Sequence, residues 1–347
     1  MSAYLHKIKL SMDQQHIPGL GLAIFKEGKI AGSKEFGVLE AGTSNMVTSN
    51  TPFHACSISK MMTAIGSLRL VQAGILELEE DVNKYLTSWQ IPENHFTRHK
   101  KVTLRNLLSH QGGFIDPAGS FDMYQEQDAL PTMLDIFKGK TRYNPEPLQV
   151  SYVPQSKFSY TDAGYCVIEQ MIEDVTGESF TAVMEKQVIS PLGLKDTLFW
   201  NYYDQTKTLQ LTAAAGHSKY GQTVEGKRAY YPYPAGSGLW STPSDLTNLA
   251  LAVTDSWNGI TNSILDQELA RLMLTGFGSE QAAGLGVFLM NDKRGPFFVS
   301  KGWGVGFQSK LIAYPRMQSG IAVMINADPG KPQNESLVGQ IIDELVL

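Results

Sequence analysis

The chain has 347 residues, room for one large packed unit or two, since a single core stops growing near about 250 to 300 residues. Its composition, 42% hydrophobic, 10% aromatic and 18% charged, excludes a disordered or collagen-like chain. Lys and Arg total 29 against 34 Asp and Glu, a net charge of -5, which argues against coating nucleic-acid phosphates and favours small or neutral partners.

Residues 1–20, MSAYLHKIKLSMDQQHIPGL, mix charged and apolar side chains and lack the unbroken apolar run of a secretory signal or a membrane span. The chain as given therefore reads as cytoplasmic, without a membrane span. A mature exported form stays open, because a removed leader leaves no trace. Residues 20–39, LGLAIFKEGKIAGSKEFGVL, read as a β-hairpin turning at Lys26-Glu27-Gly28-Lys29. From Ser57 to Ala73, the residues Met61, Ala64, Ile65, Leu68 and Val71 recur at helical spacing, and Gly74 stands where a helix C-terminal glycine belongs.

Between about residues 75 and 200 the text is helical and loop-rich, with short amphipathic pieces at 102–109 and 163–176. Residues 114–157 carry Pro117, Pro131, Pro145, Pro147 and Pro154, a long weakly periodic stretch that reads as a functional cover. After about residue 235 a helix at 244–253, entered through Thr242-Pro243, leads to strands GLGVFLM, FFVSKGW, FQSKLIAYP and GIAVMIN, and VGQIIDELVL is helical. Strands at both ends with helices between imply an α/β (α+β) unit over 1–347. Its sheet comes from residues 1–56 and 235–347, and 57–234 is mostly helical. Cys56 and Cys166 are too few for a disulfide framework and sit among apolar neighbours, so they read as reduced core thiols.

The sharpest chemical feature is Cys56-Ser57-Ile58-Ser59-Lys60, opening the apolar helix. A serine hydroxyl is a weak nucleophile until a neighbouring base takes its proton. A lysine three residues on lies on the same helical face, and the helix N-terminus favours negative charge on the serine oxygen. SxxK alone is a weak signal. Here the lysine is followed by Met61-Met62-Thr63-Ala64-Ile65, and a lysine in a buried helix needs a reason. Two further stretches stand out: 158–165, FSYTDAGY, a polar turn into an apolar helix, and 300–307, SKGWGVGF, a strand ending in glycines.

With these three stretches in order, the chain resembles the serine β-lactamase and penicillin-binding protein superfamily, in its class C-like branch of β-lactamases, DD-peptidases, D-aminopeptidases and related esterases. Ser57 to Lys60 match its SxxK, and Tyr160-Thr161-Asp162 match its Tyr-x-Asn with Asp in place of Asn. The likeness extends through Ile17-Pro18-Gly19 and through residues 70–85, 103–113 and 234–246.

The third element departs most. Ser300-Lys301-Gly302 stands where the family has Lys-Thr-Gly or His-x-Gly. A shift by one residue restores Lys301 as the cation but puts Trp303 at the glycine. Only one of Ser300 and Lys301 faces a cleft on a regular strand, and the unshifted register is favoured.

The resemblance implies a β-lactamase/transpeptidase-like fold, an antiparallel sheet flanked by helices. It also implies hydrolysis of an amide or ester through an acyl-serine. Ser57 is then the nucleophile, Lys60 and Tyr160 share the general-base role, and the backbone N–H groups of Ser57 and Trp303 form the oxyanion hole. Asp162, Ser300, Lys301, Gly302 and Trp303 meet the substrate, a small molecule or short peptide that includes β-lactams as candidates. No metal or organic cofactor is implied. The rival from another class is a binding or sensor module that acylates slowly or not at all, favoured by the altered Asp162 and Ser300.

Several other residues read as structural. His110, in LLSHQGG, reads as a hydrogen bond to a loop. His95 and His99 suit helical metal spacing, but Arg98, Lys100 and Lys101 crowd them and no third ligand follows, so they read as surface residues. Tyr202, Tyr203, Tyr230, Tyr231, Tyr233 and Trp240 either line a cleft or close the core. Gly236-Ser237-Gly238 lacks the Gly-x-Ser-x-Gly elbow of another hydrolase class.

Overall fold

An N-terminal helix, α1 (Ser2–Gln14), leads into strands β1 (Gly19–Lys26) and β2 (Lys29–Gly37) of a computed structural model that describes residues 2–125, 128–200 and 212–345. The hairpin turns through Glu27 and Gly28 at φ 51 and 69. A left-handed pair matches the twist of the flanking strands, and the glycine adopts it without a Cβ penalty. The sequence reading contained the hairpin but not α1. Beyond Leu5 this helix buries Ile8 and Met12, a stripe too thin to stand out among charged neighbours.

Strand β3 (Phe53–Cys56) feeds α2 (Ser59–Gln72), in which every residue from Ser59 to Leu68 is buried. That is why its apolar residues Met61, Met62, Ala64, Ile65 and Leu68 are not confined to one stripe. Helix α3 (Ala163–Thr176) ends at Gly177 in the left-handed conformation. Helix α4 (Pro243–Asn258) is capped by Thr242, whose side chain accepts from the Asp245 N–H at 3.1 Å. The remaining strands are β4 (Leu198–Phe199), β5 (Leu239–Ser241), β6 (Phe288–Asp292), β7 (Gly295–Gly304), β8 (Phe307–Tyr314) and β9 (Ser319–Ile325), followed by α5 (Leu337–Leu345).

The main sheet is antiparallel in the order β2-β1-β9-β8-β7-β6. Leu20 pairs with Ile325, so the two ends of the chain lie side by side. On one face, Ile8 and Met12 of α1 and Ile341 and Ile342 of α5 pack on Val299, Ile312 and Val323. The other face carries α4 and the larger core that continues into α2 and α3. A second sheet, β3-β5-β4, was not anticipated, and β4 lies inside the stretch read as helical. Its strands are two to four residues long and pair segments far apart in sequence, so no periodicity announces them. Among the described residues, no helix is long and apolar enough to cross a membrane.

Candidate active site

Cys56 ends β3 with φ 51, a left-handed conformation unusual for a side chain that is not glycine. The backbone turns sharply there and delivers Ser57, half-buried, just ahead of α2. A buried relay holds the turn. His54 donates through Nε2 to the Ser237 carbonyl at 2.6 Å, which leaves Nδ1 to accept from the Cys56 thiol at 3.3 Å. Burial pushes His54 down to about 4, so it is neutral.

Lys60, 3% exposed at its side chain, uses its amine three ways. It donates to Asp162 Oδ1 at 2.5 Å, to the Gly236 carbonyl at 2.9 Å and to Ser57 Oγ at 3.2 Å. The amine also lies 5.0 Å from the centre of the Tyr160 ring and 5.4 Å from that of Tyr165. Burial by itself pushes the amine down, but Asp162 and Tyr160 outweigh it and hold Lys60 above its usual range as an ammonium. The phenol of Tyr160 lies beside Ser57 and Lys60, and burial raises it against the opposing pull of Lys60. Its ring is held between His110, at 4.3 Å, and Phe288, stacked at 6.2 Å.

The turn carrying Tyr160 and Asp162 is fastened by residues 110–116. The Ser159 N–H donates to the His110 carbonyl at 2.9 Å and the Thr161 N–H to His110 Nδ1 at 3.2 Å. The hydrogen bond expected of His110 thus goes to the residue between two site residues, and it fixes the neutral tautomer. Asp116 takes the next two amides, Asp162 N–H at 2.5 Å and Ala163 N–H at 3.3 Å. Burial, and then the Asp162 carboxylate, push Asp116 up to about 7.

Ser57, Lys60, His110, Tyr160, Ala283, Val287, Phe288 and residues 299–301 line one cleft. Its enclosed part is about 20 Å³, a water-sized space. β6 stops pairing with β7 at Val299, so residues 300–304 form an open edge there. A Cβ on Gly302 would overlap the Ala55 carbonyl oxygen, so the face of β7 carrying Ser300 and Gly302 looks toward β3 and the nucleophile. Lys301 sits on the opposite face, directly across from Lys310, which donates to Asn334 Oδ1 at 2.9 Å. Trp303 is 44% exposed, with its indole donating to Asp328 Oδ1 at 2.7 Å.

The structure therefore brings Ser57, Lys60, Tyr160, Asp162 and Ser300 together. Lys301 and Trp303 turn their side chains away from this face, leaving their backbone at the edge. Tyr230, Tyr233 and Trp240 are buried, and the Tyr231 hydroxyl accepts from the Val305 N–H at 3.3 Å. Tyr202 and Tyr203 lie outside the described residues. Sequence reasoning missed Asp116, the Gly236 carbonyl and the His54 relay. Asp116 acts from a loop on backbone amides and Gly236 through its own carbonyl, and no residue spacing announces either.

A family model described as Beta-lactamase matches residues 6–344. Protein flp of Staphylococcus aureus (strain N315) is 23% identical over 346 residues, 97% of this chain and 64% of that protein. Penicillin-binding protein 4 of Amycolatopsis lactamdurans is 30% identical over 187 residues, 53% of this chain and 45% of that protein. The chain thus spans 64% of the length of the flp relative it matches. Among solved structures, the octameric penicillin-binding protein homologue from Pyrococcus abyssi superposes with a TM-score of 0.77 at 22% identity, covering 99% of this chain and 77% of that one. The beta-lactamase/D-alanine carboxypeptidase from Yersinia pestis, complexed with citrate, gives 0.76 at 20% identity and 99% of each chain. At these identities the two superpositions speak for the fold alone.

Proposed function

The chain belongs to the beta-lactamase family, and from that premise we propose that it is a serine hydrolase cleaving an amide or ester bond of a small acyl substrate. The observation that carries the reading is the buried Lys60 amine, which bridges Ser57 Oγ and Asp162 Oδ1. Ser57 attacks the acyl carbonyl and forms the acyl-serine bond. The resting lysine is an ammonium, so it must yield a proton before it takes one, and Asp162 at 2.5 Å is placed to receive it. Tyr160, beside both Ser57 and Lys60, hands a proton to the departing alcohol or amine and regains one from Lys60, which carries the serine's proton. Water then cleaves the acyl-serine and restores the hydroxyl. The backbone N–H groups of Ser57 and Trp303 are the oxyanion donors of this proposal, each worth about 3 to 4 kcal/mol in such sites.

Esters and amides of D-amino acids, whose leaving groups need carry no carboxylate at the scissile bond, are the substrate classes proposed, because Ser300 places no cation on the cleft face to grip one. A second reading, a receptor that acylates without turnover, is favoured by Asp162 holding Lys60 as an ammonium. Turnover of p-nitrophenyl acyl esters by the wild type and by Ser57→Ala separates them. Sustained release that vanishes in the variant supports the hydrolase, and one equivalent released without turnover supports the receptor. Release that persists unchanged in Ser57→Ala removes the serine from the mechanism.

A further inference from the structure

Helix α3 begins without a cap of its own. Asp162 occupies the capping position but makes no side-chain capping bond. Its backbone is helical, at φ -81 and ψ -31, rather than in the extended conformation of a self-capping residue. Its carboxylate is committed instead to Lys60. The first amides of a helix have no intrahelical acceptor, and here Asp116 meets two in succession, Asp162 N–H and Ala163 N–H, one on each carboxylate oxygen.

We propose that Asp116 is a positioning residue whose negative charge locks the Tyr160–Asp162 turn in place and so aims the Asp162 side chain at Lys60. Without it, the Asp162 and Ala163 amides lose their acceptor and the turn that aims the Asp162 carboxylate at Lys60 loosens. The groups facing Asp116 are Asp162 on the turn, Lys60 on α2 and the Cys166 thiol on α3. Burial keeps Cys166 protonated, so the carboxylates and the ammonium set the local field. With Asp116 near neutrality, the lock tightens as pH rises through about 7 and slackens below it.

This inference rests on the serine-hydrolase reading only for its kinetic part, and the experiment has two arms. In the first, the Asp162 and Ala163 amide resonances are followed by ¹H–¹⁵N NMR from about pH 5.5 to 8.5 in wild type and in Ser57→Ala. Both are expected to shift together with a midpoint near 7. In the second, acylation by a p-nitrophenyl ester is followed against pH. The wild-type rate is expected to rise through about 7. Asp116→Asn is expected to flatten that rise and lower the plateau about fivefold, with KM within about twofold. Amides that do not titrate, or an Asp116→Asn profile that superimposes on the wild type, overturn the proposal. Should Ser57 prove not to be acylated, the hydrolase reading falls while the amide titration in Ser57→Ala still decides the role of Asp116.

Discussion

The Lys60 amine lies 2.5 Å from Asp162 Oδ1 and 3.2 Å from Ser57 Oγ, so the group aimed at the nucleophile is also gripped by an acid. Asp162 and Tyr160 together overcome burial to hold that amine charged. Replacing Asp162 by Asn leaves burial with weaker opposition. Asp162→Asn is expected to lower the Lys60 titration by about one unit or more, read by ¹⁵N NMR of the side-chain amine. An unchanged titration contradicts the assignment of the pair.

Removing one member of a buried pair strands the other. Lys60→Met is expected to cost roughly 3 kcal/mol of stability and to reduce acylation by at least about a thousandfold. Adding Asp162→Leu restores much of the stability and none of the activity. Denaturant midpoints and acylation rates on the single and double variants read the two effects separately.

At Gly302, β7 runs directly against β3. Even the Cβ of alanine overlaps the Ala55 carbonyl oxygen and Ser309 Oγ. Gly302→Ala is expected to cost about 1 to 3 kcal/mol and, by lifting the open edge from Ser57, to lower kcat more than it raises KM. Thermal unfolding and steady-state kinetics test both parts.

Ser300 shares the face of Gly302. Ser300→Lys places a cation on the cleft side and is expected to speed acylation by benzylpenicillin, an anionic acyl donor, by about tenfold relative to a neutral ester. No change in that ratio means that the Ser300 side chain does not face the substrate.

Buried His54 titrates at about 4 in the folded protein, against about 6.5 in the unfolded chain. Below about 6.5 the unfolded chain takes a proton that the folded state refuses. The stability from the neutral ring is therefore full above that pH and lost as pH falls toward 4, by roughly 3 kcal/mol. His54→Leu is expected to flatten this part of the acid-unfolding curve, measured by denaturant midpoints at each pH.

Helix α2 and the buried lysine within it were legible because an apolar run that contains a charge states its own anomaly. The outer hairpin was legible because Glu27-Gly28 between an apolar strand and a second strand is turn chemistry. Strand alternation limited the third stretch to one of Ser300 and Lys301 on the cleft side, and Gly302 against Ala55 puts the Ser300 face there. Helix α1 was missed because its buried stripe is thin, and β4 and β5 because two or three residues carry no period. Asp116 was missed for a different reason. Its partners are backbone amides 46 and 47 residues downstream, and a loop aspartate beside a proline looks the same whether it meets solvent or a helix start.

The most direct test of the central claim is intact mass and peptide mapping after brief exposure to a p-nitrophenyl ester or a fluorophosphonate. One acyl or phosphonyl group per chain, on the peptide carrying Ser57 and absent from Ser57→Ala, is the predicted result. An unmodified wild type, or equal labelling of Ser57→Ala, contradicts the account.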